Sequence, residues 1–101
     1  MIRVVLWRNR KERTGFCVSG HAGFAPAGQD IVCAAVSSAV RLTERILASM
    51  HSDYTAEVDT ERNTVTVSAR ESTVLDGFAR LMRELSEEYP EYIQVTEVRY
   101  V

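Results

Sequence analysis

A ten-residue loop separates two short strand-like segments from a long helical one. Residues 20–29 contain three glycines and a proline, a composition that interrupts regular secondary structure. Before this loop, β-branched and aromatic residues predict strands over 2–7 and 14–19, joined by a charged turn into a hairpin. After it, Asp30 is the predicted N-cap of a helix that runs to about Met50. The loop therefore divides the first part of the fold into a hairpin and a helix.

Two helices are predicted, each with one apolar face. Ser72 is the predicted cap of the second helix, and Pro90 is expected to end it. The apolar face of the first helix consists of Val32, Ala35, Val36, Ala39, Ile46, Leu47 and Met50. The face of the second consists of Val74, Leu75, Phe78, Met82, Leu85 and Tyr89, and Leu81 widens it on one side.

Three further strands complete the pattern. They are predicted over 54–59, 64–69 and 93–101, with a turn at 61–63 between the first two. The order ββαββαβ predicts the α+β class: a small two-layer sandwich in which two helices pack on a mostly antiparallel sheet. At 101 residues the chain is long enough for one domain, over 1–101.

Composition narrows the choice of partners and compartment. The net charge is −2 and the isoelectric point is near 5.7, which disfavours binding of nucleic acid through a basic surface. No apolar stretch approaches the length of a membrane span, and the N-terminal apolar run is too short for a signal peptide. We therefore expect a cytoplasmic protein whose two cysteines are reduced.

His21 and Cys33 are the residue types that thiol catalysis requires. Cys33 falls in the first turn of the predicted helix, where free N–H groups and the helix dipole favour the thiolate. His21 lies in the loop, either as general base or as an imidazolium paired with that thiolate. N–H groups at the helix start could stabilise an oxyanion. The alternative is that Cys33 is only a small buried core residue.

Four neighbouring residues have open roles. Asp30 is a cap, or a group that orients His21, although its charge opposes formation of a nearby thiolate. Ser37, one turn after the cysteine, faces the same side and bonds either the sulfur, a substrate carbonyl or its own helix backbone. Gly20 and Gly28 serve turns, or let a peptide backbone come close.

The remaining cysteine and histidine do not extend this site. Cys17 lies in a strand pattern that predicts packing, and His51 follows the first helix, where it suits the helix dipole. No two potential ligands stand close together, so we expect neither a metal site nor another cofactor. The aromatic residues that either line a substrate groove or pack in the core are Phe24, Tyr54, Tyr89 and Tyr92.

The residues around the loop carry a resemblance to a known family. Gly20-His21-Ala22, then Gly28 and residues 30–37 (Asp-Ile-Val-Cys-Ala-Ala-Val-Ser), resemble the ribosomal-processing cysteine protease family, Prp. The likeness extends over the whole chain. It implies a cysteine endopeptidase that removes a short N-terminal extension from large-subunit ribosomal protein twenty-seven, in bacteria that carry that extension. The cut follows an aromatic residue.

The resemblance also implies roles for individual residues. Cys33 is then the nucleophile and His21 the base, and Asp30 and Ser37 are supporting positions. The family forms homodimers, and its glycine-rich loop moves when substrate binds. The partner is the ribosomal protein precursor, with no nucleic acid, membrane or cofactor involved.

Two other functions are compatible with the residues. One is a non-enzymatic, ribosome-associated module that binds a basic peptide in the same groove and keeps Cys33 unreactive. The other is a thiol redox protein, for which Cys17 is the one candidate resolving cysteine.

Overall fold

All seven predicted elements are present, in the predicted order. The computed structural model describes residues 1–26 and 28–100. The elements are β1 (Ile2–Arg8), β2 (Arg13–Ser19), α1 (Ile31–Ser49), β3 (Tyr54–Asp59), β4 (Thr64–Ala69), α2 (Ser72–Glu88) and β5 (Ile93–Arg99). The predicted end of the last strand, Val101, lies outside the described residues. The α+β class and the element order are thus confirmed.

The five strands form one sheet in the order β3-β4-β2-β1-β5. The pairs β1–β2, β2–β4 and β3–β4 are antiparallel, whereas β1 and β5 run parallel. This confirms a mostly antiparallel sheet. The parallel pair is possible because α2 crosses over one face of the sheet between β4 and β5.

Alternate residues of the strands place the core on one face of the sheet. Ile2, Val4 and Leu6 of β1 are at most 2% exposed, and Leu6 lies opposite Phe16 in the register. Both helices pack on this face, because only a covering layer removes an apolar sheet face from contact with water. The helix residues that lie in the core are Val32, Val36, Ala39, Val40, Leu47, Leu75, Phe78, Ala79 and Met82.

The buried face of α1 differs from the predicted one in its second half. Ile46 and Met50 are 39% and 50% exposed, so their predicted burial is wrong. Thr43 is buried instead, and its hydroxyl donates to the carbonyl of Ala39 at 2.8 Å. Because that internal bond satisfies the hydroxyl, a polar residue fills the core position and the stripe continues to Leu47.

The start of α2 also differs from its prediction. Glu71 occupies the N-cap position, and no side chain caps the helix there, so the predicted cap by Ser72 is wrong. Leu81 is 39% exposed and does not widen the buried face. The helix ends at Glu88, just before Pro90, as predicted. Phe78 anchors α2 to the sheet by stacking on Phe16, with ring centroids 3.8 Å apart.

No helix within the described ranges combines the length and apolar character that a membrane span requires.

Candidate active site

The histidine loop, residues 20–29, connects β2 to α1 and crosses the N-terminal end of that helix. Gly20 and Gly28 have φ values of +87° and +86°, a backbone region that favours glycine. Gly20 also leaves no room for a side chain, because a Cβ atom there would press on the carbonyl oxygen of Met1. Glycine is therefore favoured by conformation at both positions, and at position 20 also by lack of space.

Asp30 ties the loop to the helix. Its Oδ1 accepts the backbone N–H of Cys33 at 2.9 Å, which confirms the predicted N-cap, and its Oδ2 accepts the N–H of Phe24 at 3.1 Å. The bond from Cys33 is the largest influence that lowers the pKa of Asp30 below its ordinary 3.8. Partial desolvation opposes that effect, and the bond from Phe24 adds to it. The carboxylate is consequently ionised at neutral pH.

Cys33 lies in the first turn of α1, with its side chain partly buried. Its Sγ accepts the backbone N–H of Ala22 at 3.2 Å. A donor aimed at sulfur and the free N–H groups of a helix start both stabilise negative charge. The loop and the helix thus converge on one thiol at the start of α1.

His21 faces the same cavity but contacts a different partner. Within the described part of the chain it makes no hydrogen bond to Cys33. Its Nε2 lies 3.1 Å from Nδ2 of Asn63, in the turn between β3 and β4. Asp30 likewise bonds Cys33 and Phe24 rather than the imidazole. The group that orients His21 in this structure is therefore Asn63.

Sequence reasoning missed Asn63 as a site residue. It was expected only as part of a turn, and it has a φ of +51°, which asparagine tolerates better than most residues. Its contact with His21 bridges 42 positions along the chain. No local pattern signals a contact across that separation.

Two adjoining cavities open on the thiol. The first, of about 380 Å³, lies between α1 and the strands, and five valines contribute to its lining. The second lies under the histidine loop. His21, Cys33 and Ser37 line both. Gly20 lines the first, and Gly28 and Asp30 line the second. The fold therefore gathers the six candidate site residues around one thiol, whereas Tyr54, a predicted groove residue, lines neither cavity.

Aromatic residues hold the loop against the end of α2. The ring of Phe24 packs edge-on against Tyr89 and Tyr92, at centroid distances of 5.9 and 5.2 Å. These three predicted groove residues thus form a cluster beside the loop, and none of them lines either cavity.

The second cysteine lies away from this site. Cys17 is on the sheet face opposite the core, where its sulfur accepts the hydroxyl of Thr66 at 3.6 Å. Both cysteines are free. Among residues 1–26 and 28–100, no three histidine, cysteine or acidic side chains come together as a metal site would require.

A family model described as cysteine protease Prp matches residues 1–94. The chain belongs to the Prp family of cysteine proteases. It is accordingly a cysteine-type peptidase, and the thiol at the start of α1 is the kind of group such an enzyme requires. No curated protein sequence matches the chain significantly.

Solved structures share the fold over nearly the whole chain. The ribosomal processing protease Prp of S. aureus, in complex with a covalently linked product peptide, superposes with a TM-score of 0.89 at 21% identity. That match covers 97% of this chain and 100% of the S. aureus chain. The same protease with a substrate peptide gives 0.84 at 20% identity, with the same coverage. SMU.848 from Streptococcus mutans gives 0.84 at 22% identity, covering 99% of this chain and 96% of that one.

Proposed function

We propose that this protein is the endopeptidase that removes the N-terminal extension of large-subunit ribosomal protein twenty-seven, by cutting after an aromatic residue. Cys33 is the nucleophile and His21 the general base. The observation that carries the proposal is that His21 and Cys33 line the same apolar-walled cavity at the N-terminal end of a helix. The S. aureus relatives that bind a substrate or product peptide support a peptide as the ligand.

The substrate chain lies beside the start of α1, with its scissile carbonyl next to Cys33. The first cavity suits an apolar side chain, because five valines line it: Val18, Val36, Val40, Val58 and Val65. An aromatic residue before the scissile bond satisfies that requirement. Gly20 and Gly28 place no side chain in the path of the peptide backbone, which is the supporting role we give them.

The reaction follows the general course of thiol catalysis. His21 accepts the proton of Cys33, and the thiolate attacks the scissile carbonyl. His21 returns that proton to the leaving amine, and water then hydrolyses the acyl-enzyme. Asp30 caps the helix and holds the loop at Phe24, and Ser37 lies one turn beyond the cysteine to bond the sulfur or a substrate carbonyl.

We also propose that the enzyme works in the cytoplasm, where the ribosomal precursor is made, and that it acts as a homodimer. The net charge of −2 suits a basic ribosomal protein as partner. Sedimentation of the purified chain at several concentrations tests the dimer: a single monomeric species throughout would contradict it.

Mass spectrometry of the precursor after incubation with the enzyme tests the activity and its nucleophile. The expected result is a single cut after an aromatic residue. Cys33→Ala and His21→Ala should each lower the rate by about a thousandfold or more, because nucleophile and base act as a unit. The matched controls are Cys17→Ala and His51→Ala, which remove the same side chains outside the cavities and should cleave like the parent.

Two outcomes would contradict the proposal. Cleavage that survives Cys33→Ala would exclude this nucleophile. Binding of the precursor without any cut would favour a peptide-binding module instead.

A further inference from the structure

Asn63 holds the first two residues of the histidine loop through three contacts. Its carbonyl oxygen accepts the N–H of Gly20 at 3.3 Å, and its Nδ2 donates to the carbonyl oxygen of Gly20 at 2.9 Å. The same Nδ2 lies 3.1 Å from Nε2 of His21. The β3–β4 turn is thus bonded to the loop at the residue before His21 and at His21 itself.

These contacts define which ring nitrogen carries the proton. The carbonyl oxygen of Gly20 can only accept, so the amide atom beside it is the nitrogen of Asn63 and not its oxygen. That nitrogen can only donate, so Nε2 of His21 must present its lone pair to it. In a neutral imidazole the proton then resides on Nδ1.

We propose that Asn63 is a positioning residue for His21: it keeps the imidazole in the neutral Nδ1–H tautomer and so reserves Nε2 as the nitrogen that receives the thiol proton. This inference rests on the proposed function only for the role of His21 as base. The tautomer itself follows from the contacts of Asn63.

The contact must open during the reaction. When the proton of the Cys33 thiol moves to Nε2, the sulfur becomes a thiolate and the imidazole a cation with a proton on each nitrogen. The amide N–H of Asn63 cannot bond an N–H, so the contact stays broken while the imidazole is charged. Because Nε2 faces Asn63 in this structure, His21 turns toward the thiol before the proton moves, while Asn63 keeps its two bonds to Gly20. The contact re-forms once the leaving amine has taken the proton.

The first test uses the unmodified chain. Long-range proton–nitrogen correlation spectra of a sample with ¹⁵N-labelled histidine separate the two neutral tautomers, at a mildly alkaline pH where an ordinary imidazole is uncharged. The chain has only two histidines, and His51→Ala assigns their signals. We expect the Nδ1–H pattern at His21. An Nε2–H pattern there would overturn the proposal without any variant of Asn63.

Two variants test the effect on catalysis. Asn63→Gly keeps the positive φ and the backbone bond to Gly20 but removes the amide. Asn63→Asp keeps the size and shape of the side chain but cannot donate to Nε2. Both should lose the Nδ1–H pattern at His21 and lower kcat/KM by about three- to tenfold, the range expected for one hydrogen bond.

The spectrum and the kinetics must change together. A folded glycine variant that keeps either the parental tautomer or the parental kcat/KM would overturn the proposal. An aspartate variant that behaves like the parent would show that only the shape of residue 63 matters. Failure of the proposed function is a separate result: either the parent would not cut the precursor, or His21→Ala would cut it as fast as the parent. In both cases the tautomer spectrum would still decide the contact with Asn63.

Discussion

Gly20→Ala should destabilise the protein much more than Gly28→Ala, although both glycines have nearly the same positive φ. Replacing glycine by alanine in this backbone region costs about 1–2 kcal/mol of unfolding free energy at either position. Only at Gly20 does the new Cβ also press on a backbone atom, the carbonyl oxygen of Met1. At Gly28 no described atom lies within 4 Å of the added Cβ. The pair therefore separates the conformational cost from the steric one.

The steric part of the loss in unfolding free energy is about 1–3 kcal/mol, the cost of adding atoms to a well-packed site. It cannot be relieved by a side-chain rotation, because Met1 contributes a main-chain carbonyl next to the buried strand β1. We thus expect a loss of unfolding free energy of about 2–5 kcal/mol for Gly20→Ala. For Gly28→Ala we expect about 1–2 kcal/mol at most, in a more open part of the loop.

Urea unfolding of the parent and both variants, followed by circular dichroism and fitted with a common slope, gives the three free energies. Equal losses for the two variants, within about 0.5 kcal/mol, would refute the reasoning, because the contact with Met1 would then have no cost. A larger loss at Gly28 would show that the loop is more tightly held there than its surroundings indicate.

Two further perturbations test the core and the loop anchor. Phe78→Ala should cost about 3–5 kcal/mol in urea unfolding, because the ring is 4% exposed and stacks on Phe16; Leu81→Ala on the same helix, at a side chain 39% exposed, should cost under about 1 kcal/mol, and similar losses for the two would contradict this packing. The pKa of Asp30 is lowered in the folded chain. Its charge therefore stabilises the fold at a pH above the ordinary pKa of 3.8, and this contribution is lost as the pH falls through the lowered pKa. Asp30→Asn should remove that part of the acid dependence in unfolding measured from neutral to acidic pH, and an unchanged pH profile would contradict it.

The order and bounds of the elements were predictable because each depends on local signals. Alternating β-branched residues mark the strands, Asp30 marks the start of α1, and Pro90 marks the end of α2. The errors occur where a polar residue takes an unexpected place. Thr43 can be buried because its hydroxyl bonds the carbonyl of Ala39 in its own helix, and Ile46 is left exposed.

The candidate site was predictable in its residue types but not in its contacts. Cys33 follows from the helix start and His21 from the loop, both of which are local. That Ala22 donates its N–H to the sulfur depends on the path of the loop, which no periodicity encodes. The partner of His21 comes from a different hairpin, so it could not be inferred from the spacing around the loop.

The pairing of β1 with β5 has a consequence for when the enzyme can form during synthesis. The register joins Ile2 to Ile93, and the N–H of Ile2 donates to the carbonyl of Tyr92, so β1 completes its ladder with a strand that is made much later. Contacts of such long sequence separation slow folding, and until β5 is in place β1 presents an unpaired edge that other chains can join. Because Met1 and Ile2 also support Gly20 and the cavity beside Cys33, a nascent chain that lacks β5 would not hold a finished candidate site. The candidate site would thus be complete only after residues 93–99 have left the ribosome.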